Sequence, residues 1–279
     1  MTTSFQTNSD RFLGLADIYD EARPRLPSSV TSLVSSYLCN RRPSFIVDLG
    51  CGTGLSTRPW AEGFPDATIV GVDPNPEMLA CARARSRSES KIEYRQGFSH
   101  STGIESSRAD IVAISQAFHW MDPTSTLAEV ARILRPDGGV LVVADCNWPP
   151  SIPGCWRSEK AFEQCRDNCD RIVSERNLAP KLQRWDKLGH LSSIRSKSPP
   201  SAFEWCREVH LHSQDEGTFK RLVMLCESQG GVKTAVKDGK VSRKDVGLEI
   251  LEHVSEEEMG DQPRRWVWSY TLEIAFRGK

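Results

Sequence analysis

Gly50, Gly52 and Gly54 stand at alternate positions directly after the apolar run SFIVDL and directly before a helical pattern. A strand that turns through glycines into a helix presents backbone without Cβ atoms, so a ligand can lie close against it. The acid closing the next strand, Asp73, lies 19 residues beyond Gly54, a placement suited to a carboxylate that accepts ribose hydroxyls. The spacing is G-x-G-x-G, not the G-x-G-x-x-G of dinucleotide binders, and no Walker lysine follows. Asp48 stands at the strand end, where a pyrophosphate would have to rest. A carboxylate there repels phosphate and attracts a cation, and at ~4 Å a moderately screened pair is worth a few kcal/mol. The bland alternatives are a tight turn in some other α/β protein and, for Asp73, a helix N-cap.

Around this loop the chain alternates strand and helix. A helix over about 13–20 and one from Ser28 or Ser29 to about Cys39 precede the first strand. Helix 55–62, strand ATIVGVD, helix 76–85, strand KIEYRQG and strand ADIVAIS follow. Asp122-Pro123 opens a helix with Leu127, Val130 and Leu134 on one face, and strand VLVVAD closes the series. Such alternation with short connections predicts an α/β fold, a doubly wound, mostly parallel sheet covered on both faces.

The alternation stops at Asn147. Residues 147–200 hold Trp148, Trp156, Trp185, two Pro-Pro pairs and a helical stretch near 158–176, too much for a plain loop. They read as a helical insertion, with residues 1–27 as an N-terminal arm and 28–279 as the main domain. A strand near 203–212, helices near 217–228 and 244–253, and the strand WVWSYTLEIAF complete the chain. In that strand Trp266, Trp268, Tyr270, Leu272, Ile274 and Phe276 alternate with period two.

Thirty-six Lys and Arg against 37 Asp and Glu give a net charge of -1, which argues against a nucleic-acid partner. The cluster Arg83, Arg85 and Arg87 reads as a solvated face. No segment has the ~20 apolar residues needed to span a bilayer, and MTTSFQTNSD shows neither a basic start nor an apolar run, so the expectation is a cytoplasmic protein without a membrane partner. The nine cysteines form no C-x-x-C pair, so no metal site is expected. Cys165 and Cys169 fall one turn apart with Phe162, Ile172 and Val173 on an apolar helix face.

VDLGCGTGLST, VGVDPNPEML, SQAFHWMD and LRPDGGVLVV together resemble the successive motifs of class I S-adenosylmethionine-dependent methyltransferases. Within them they are similar to the small-molecule branch that includes trans-aconitate methyltransferases. The likeness covers positions 12–146, about half the chain. It implies a Rossmann-like, seven-stranded sheet whose last strand, here TLEIAF, runs antiparallel. It also implies S-adenosylmethionine as cofactor and methyl transfer to a small molecule, most readily to a carboxylate or hydroxyl oxygen. By resemblance, Gly50, Gly52 and Gly54 pass under the methionine portion with Asp48 organising that loop and Cys51 a cofactor-binding residue within it, Asp73 holds the ribose, Pro74 and Met78 lie near the adenine, and Ser115 and Gln116 close the methionine side. The arm Tyr19-Asp20-Glu21-Ala22-Arg23-Pro24 looks like the family's segment over the cofactor. Phe98 and Ser99 occupy the adenine-amine position, where the family carries a polar or acidic residue. Phe98 departs from that pattern and keeps open a protein that binds the cofactor structurally or catalyses a rearrangement.

His119 follows the strand edge where ligands bind in such sheets. A neutral imidazole there takes a proton from a hydroxyl, or else serves only to position or pack. Trp120 and Trp148 suit a sulfonium or substrate by cation–π attraction, or simply bury area. Arg23 is a candidate partner for an acidic substrate or the cofactor carboxylate, against a plain surface role. The acceptor and the oligomeric state have no readable code.

Overall fold

The computed structural model describes residues 14–39, 41–86, 91–176, 194, 202–237 and 241–278. Leu13, Arg87, Trp185, the Pro199-Pro200 pair and positions 177–193 of the expected insertion lie outside them. The chain divides into two units. A sheet unit holds Arg25–Cys146, Gln183–Leu211 and Tyr270–Lys279; a helical unit holds Met1–Pro24, Asn147–Leu182 and His212–Ser269.

The strands are β1 (Phe45–Leu49), β2 (Thr68–Asp73), β3 (Ile92–Gln96), β4 (Ile111–Ser115), β5 (Val140–Cys146), β6 (Phe203–Gly217) and β7 (Arg264–Arg277). They form one seven-stranded sheet in the order β3-β2-β1-β4-β5-β7-β6. β1 pairs in parallel with β2 and β4, β2 with β3, and β4 with β5, whereas β5 and β7 run antiparallel. The reversal at β7 agrees with the expectation for TLEIAF. The closing strand is interior, with β6 beyond it. Every residue of β1 and β5 is buried, which is why both are apolar apart from Asp48 and Asp145 near their carboxyl ends.

The sheet unit also carries helices α2 (Ser28–Tyr37), α3 (Thr57–Gly63), α4 (Pro76–Arg85) and α5 (Pro123–Ile133). Local chemistry sets their starts. Asn75 caps α4 by accepting the N–H of Glu77 and of Met78, and Asp122 caps α5 through Ser125 N–H at 2.8 Å, with Pro at the first turn. The cap of α4 is therefore Asn75, not Asp73. α2 begins with Pro27 at the cap position, in extended backbone and without a side-chain cap. On one sheet face Val47, Leu49, Val112, Ile114, Leu141, Val143 and Ala275 pack with Leu127, Val130 and Ile133 of α5.

The helical unit contains α1 (Ala16–Ala22), α6 (Trp156–Glu175), α7 (Phe219–Glu227), α8 (Gly230–Lys237), α9 (Arg243–Val246) and α10 (Leu248–Met259). Phe162, Cys165, Cys169 and Ile172 are buried along α6 as expected, and all nine cysteines are free thiols. The single helix expected over 244–253 is two, broken at Gly247, whose φ of 86° is left-handed. α8 escaped sequence reading because it opens on two glycines, poor helix formers. Trp266 and Trp268 are fully buried, and Trp268 Nε1 donates to Asp215 Oδ1 at 2.7 Å. Among the described residues no helix is long and apolar enough to cross a membrane, and no group of His, Cys, Asp and Glu suits a metal ion.

Candidate functional site

The loop after β1 turns through Gly50, Gly52 and Gly54 with φ of 70°, 53° and 80°, a region that side-chain-bearing residues rarely enter. Two of these glycines are needed for packing. A Cβ on Gly50 would meet Ala117 at 2.6 Å, and one on Gly54 would meet the Tyr94 hydroxyl at 2.5 Å. Gly52 differs: nothing lies within 4 Å of its absent Cβ. It is the place on the turn where a ligand can rest against backbone.

Two buried carboxylates fix this turn. Asp48 Oδ2 accepts Ser56 Oγ at 2.7 Å and Thr57 Oγ1 at 2.6 Å, tying the end of β1 to the start of α3. Asp73 Oδ2 accepts the Gly52 N–H, and its Oδ1 accepts the Asn75 N–H at 2.8 Å. Burial pushes both acids up to about 6, against the hydroxyl donors at Asp48 and the N–H donors at Asp73, which pull them down. The nearby Asp73 charge adds to the rise at Asp48. Asp48 Oδ1 and Thr53 Oγ1 are buried and without a hydrogen-bond partner among the described residues. A buried carboxylate oxygen left unpaired is costly, and a cation or a hydrogen-bond donor placed there would relieve that cost. Ser56, Thr57 and Thr53 were not singled out in the sequence. The first two sit eight and nine residues after Asp48, and only the folded turn brings them back to it.

The other expected positions of the sheet unit fall along the same carboxyl edge. Met78 is buried, and Pro74 has its carbonyl held by Gln96 Nε2 at 3.1 Å. Phe98 is 38% exposed and stacks on His100 with centroids 5.5 Å apart, so an aromatic platform stands at the position where the family carries a polar residue. Ser99 Oγ lies 2.7 Å from Thr126 Oγ1. Beyond Ser115, Gln116 takes a left-handed φ of 54° while its N–H bonds Ala144 O. His119 is buried on a 3-10 turn, Phe118–Trp120, and its ring packs on Trp120 at 4.9 Å.

These positions can be set beside known proteins. Residues 47–142 match the family model for the methyltransferase domain. That stretch of the chain is similar to a methyltransferase domain. An uncharacterized methyltransferase of Mycobacterium bovis is 34% identical over 139 residues, 50% of this chain and 53% of the relative. A malonyl-[acyl-carrier protein] O-methyltransferase of Halalkalibacterium halodurans is 36% identical over 103 residues, 36% of this chain and 38% of its own. The chain thus spans about half the length of the first of these relatives and less of the second. A solved structure from Anaeromyxobacter dehalogenans, assigned as a type II methyltransferase, covers 91% of this chain and 97% of its own at a TM-score of 0.62 and 19% identity, a likeness of fold.

Three expected residues lie outside the matched stretch 47–142, together in the helical unit. The Arg23 guanidinium sits 4.3 Å from the Tyr19 ring and 4.9 Å from the Trp148 ring. Arg23 Nε and Nη2 donate to Ser228 Oγ and to Ser228 O at 3.1 and 3.0 Å. Trp148 in turn meets Trp268 edge-on at 5.5 Å. Sequence spacing gave no hint that Ser228 holds Arg23. Arg83, expected as a solvated charge, bonds Tyr94 O at 2.8 Å and so pins α4 to β3. A last network missed in the sequence lies behind the edge. Glu129 accepts Thr102 N–H and Oγ1 and is held by Arg132. These bonds draw Glu129 down to about 2 although its burial works in the other direction.

Proposed function

We propose that the chain transfers a methyl group from S-adenosylmethionine to an oxygen of a small molecule. The observation that carries this reading is the unpaired, buried Asp48 Oδ1 beside the open face of Gly52. A glycine turn with an acid at its root suits a ligand that brings an ammonium, and it opposes a pyrophosphate. Gly50, Cys51, Gly52 and Gly54 would hold the amino-acid end. Asp73 keeps lone pairs beyond its two N–H bonds and would take the ribose hydroxyls. Pro74, Met78, Phe98 and Ser99 would flank the base, with Ser115 and Gln116 on the methionine side. When bound, the cofactor supplies a methyl on a positively charged sulfur and leaves as a neutral thioether. The task of the protein is then mostly alignment and the exclusion of water. His119 would orient the acceptor or take its proton. The O-methyltransferase name of one relative supports oxygen as the acceptor atom.

The test is formation of S-adenosylhomocysteine from S-adenosylmethionine in the presence of a small-molecule extract. Production that depends on both enzyme and extract supports the reading; tight binding with no turnover favours a non-methylating protein of the same fold.

A further inference from the structure

Gly52 and Gly54 of one turn face different surroundings. Nothing lies within 4 Å of the absent Cβ of Gly52, whereas the Gly54 position is closed by the Tyr94 hydroxyl at 2.5 Å. Tyr94 is buried on β3, with β2 between it and β1. Its ring crosses β2 at Gly71, its partner in the parallel ladder. A Cβ on Gly71 would meet Tyr94 Cδ1 at 2.8 Å and Cε1 at 2.9 Å. Glycine at 71 therefore clears a path for the ring, and glycine at 54 lets the turn settle on the hydroxyl at its end.

The hydroxyl is itself held. Ser86, the C-cap of α4, donates from Oγ to Ala82 O at 2.8 Å. With that single proton engaged, Ser86 Oγ accepts the Tyr94 hydroxyl proton across 2.9 Å. Arg83 of α4 donates to the Tyr94 carbonyl, so α4 grips the tyrosine at its backbone and at its ring. The ring also packs with Cys51 of the turn and with Leu79 and Ala82 of α4. Burial pushes the phenol up to about 12, against the Ser86 hydrogen bond, which pulls it down. The group therefore stays protonated near neutrality.

Resting on the reading that the glycine turn receives the cofactor, we propose that Tyr94, held by Ser86, is a positioning residue that backs the turn and keeps it preformed for S-adenosylmethionine. A tyrosine that only filled the core would need its ring covered. This one has two glycines and a serine arranged so that its hydroxyl meets the turn. It acts through Gly54: the closed side of the turn rests on the hydroxyl, and the open side at Gly52 is left for the ligand. A turn already ordered in its binding shape loses little freedom when a ligand arrives. Without the hydroxyl the turn can relax into the space behind it, and that order has to be regained on binding.

The experiment titrates the full chain with S-adenosylhomocysteine by calorimetry and follows stability by denaturant unfolding. Tyr94→Phe removes the hydroxyl and keeps the ring, and Ser86→Ala removes its acceptor. Each should bind at least about threefold more weakly than wild type. The double variant should lose no more than the weaker-binding single one, because both cut the same hydrogen bond. Ser86→Thr keeps a hydroxyl at that place and should restore binding to within about twofold of wild type. Ile111→Val, at the buried start of β4, lowers stability by a comparable amount and should leave binding unchanged. A smaller loss in Tyr94→Phe or Ser86→Ala overturns the inference and leaves the cofactor reading intact. So does an equal loss in Ile111→Val, since affinity would then follow stability and not the turn. If Tyr94→Phe does not fold, Ser86→Ala and its threonine counterpart decide the matter. Failure of the folded wild type to bind overturns the cofactor reading and the inference with it.

Discussion

Asp73 Oδ2 accepts the backbone N–H of Gly52 at 2.9 Å, so the acid that closes β2 also shapes the turn that closes β1. One side chain thus joins the carboxyl ends of β1 and β2, and a change there acts on stability and, on the proposed reading, on ligand binding together.

Replacing Asp73 by alanine leaves the N–H of Gly52 and of Asn75 without their acceptor. An unsatisfied buried donor costs about 1–3 kcal/mol. The variant should unfold at lower denaturant concentration and bind S-adenosylmethionine at least 100-fold more weakly. Denaturant melts together with calorimetric titration separate the two losses.

Gly52 and Gly54 should part company on substitution. Gly54→Ala combines a φ of 80° with a collision against Tyr94 and should cost about 2 kcal/mol or more. Gly52→Ala meets nothing within the protein, so it carries the backbone penalty of about 1–2 kcal/mol alone. It should fold, and still lose cofactor affinity at least tenfold, because the added methyl fills the space kept for the ligand. Thermal melts and titration of both variants check the contrast.

The pH dependence of stability follows from the two raised acids. Each unfolds to an ordinary carboxyl near 3.8 and folds to one near 6. A raised folded value means that the contribution is fully present below about pH 4 and is lost as pH rises through 6. For Asp48 alone the shift amounts to about 3 kcal/mol. Asp48→Asn keeps the shape without the charge. Its stability relative to wild type should therefore increase from pH 4.5 to pH 7.5, as followed by denaturant unfolding at each pH.

Glu129 behaves in the opposite sense. Its folded value near 2 lies below the ordinary 4.5, so its contribution is present above pH 4.5 and disappears as pH falls toward 2. Glu129→Ala also orphans the Thr102 N–H and should cost about 2–3 kcal/mol at neutral pH. The difference from wild type should shrink in acid melts near pH 3.

What could be read from the sequence divides along a physical line. β1, β2, β4 and β5 are largely apolar because both faces are covered, and α4 and α5 are announced by Asn75-Pro76 and Asp122-Pro123, so these elements were legible. So were the glycine turn and its two acids, since strand ends and spacing place them. The partners of the buried polar side chains within each unit are set by folding and not by spacing. Ser56 and Thr57 reach back to Asp48, Thr102 meets Glu129, and Ser228 meets Arg23 across 205 positions.

The central claim is that the turn at Gly52 receives a cationic nucleoside beside Asp48. It is tested most directly by calorimetric titration of the protein with S-adenosylmethionine at pH 6 in two buffers of different ionisation enthalpy. A cation held near Asp48 favours its charged form, so one-to-one binding should come with proton release at pH 6 that vanishes at pH 8 and is smaller in Asp48→Asn, where only Asp73 still titrates near 6. Absence of binding by the folded wild type, or binding that releases no proton at pH 6, would contradict the account.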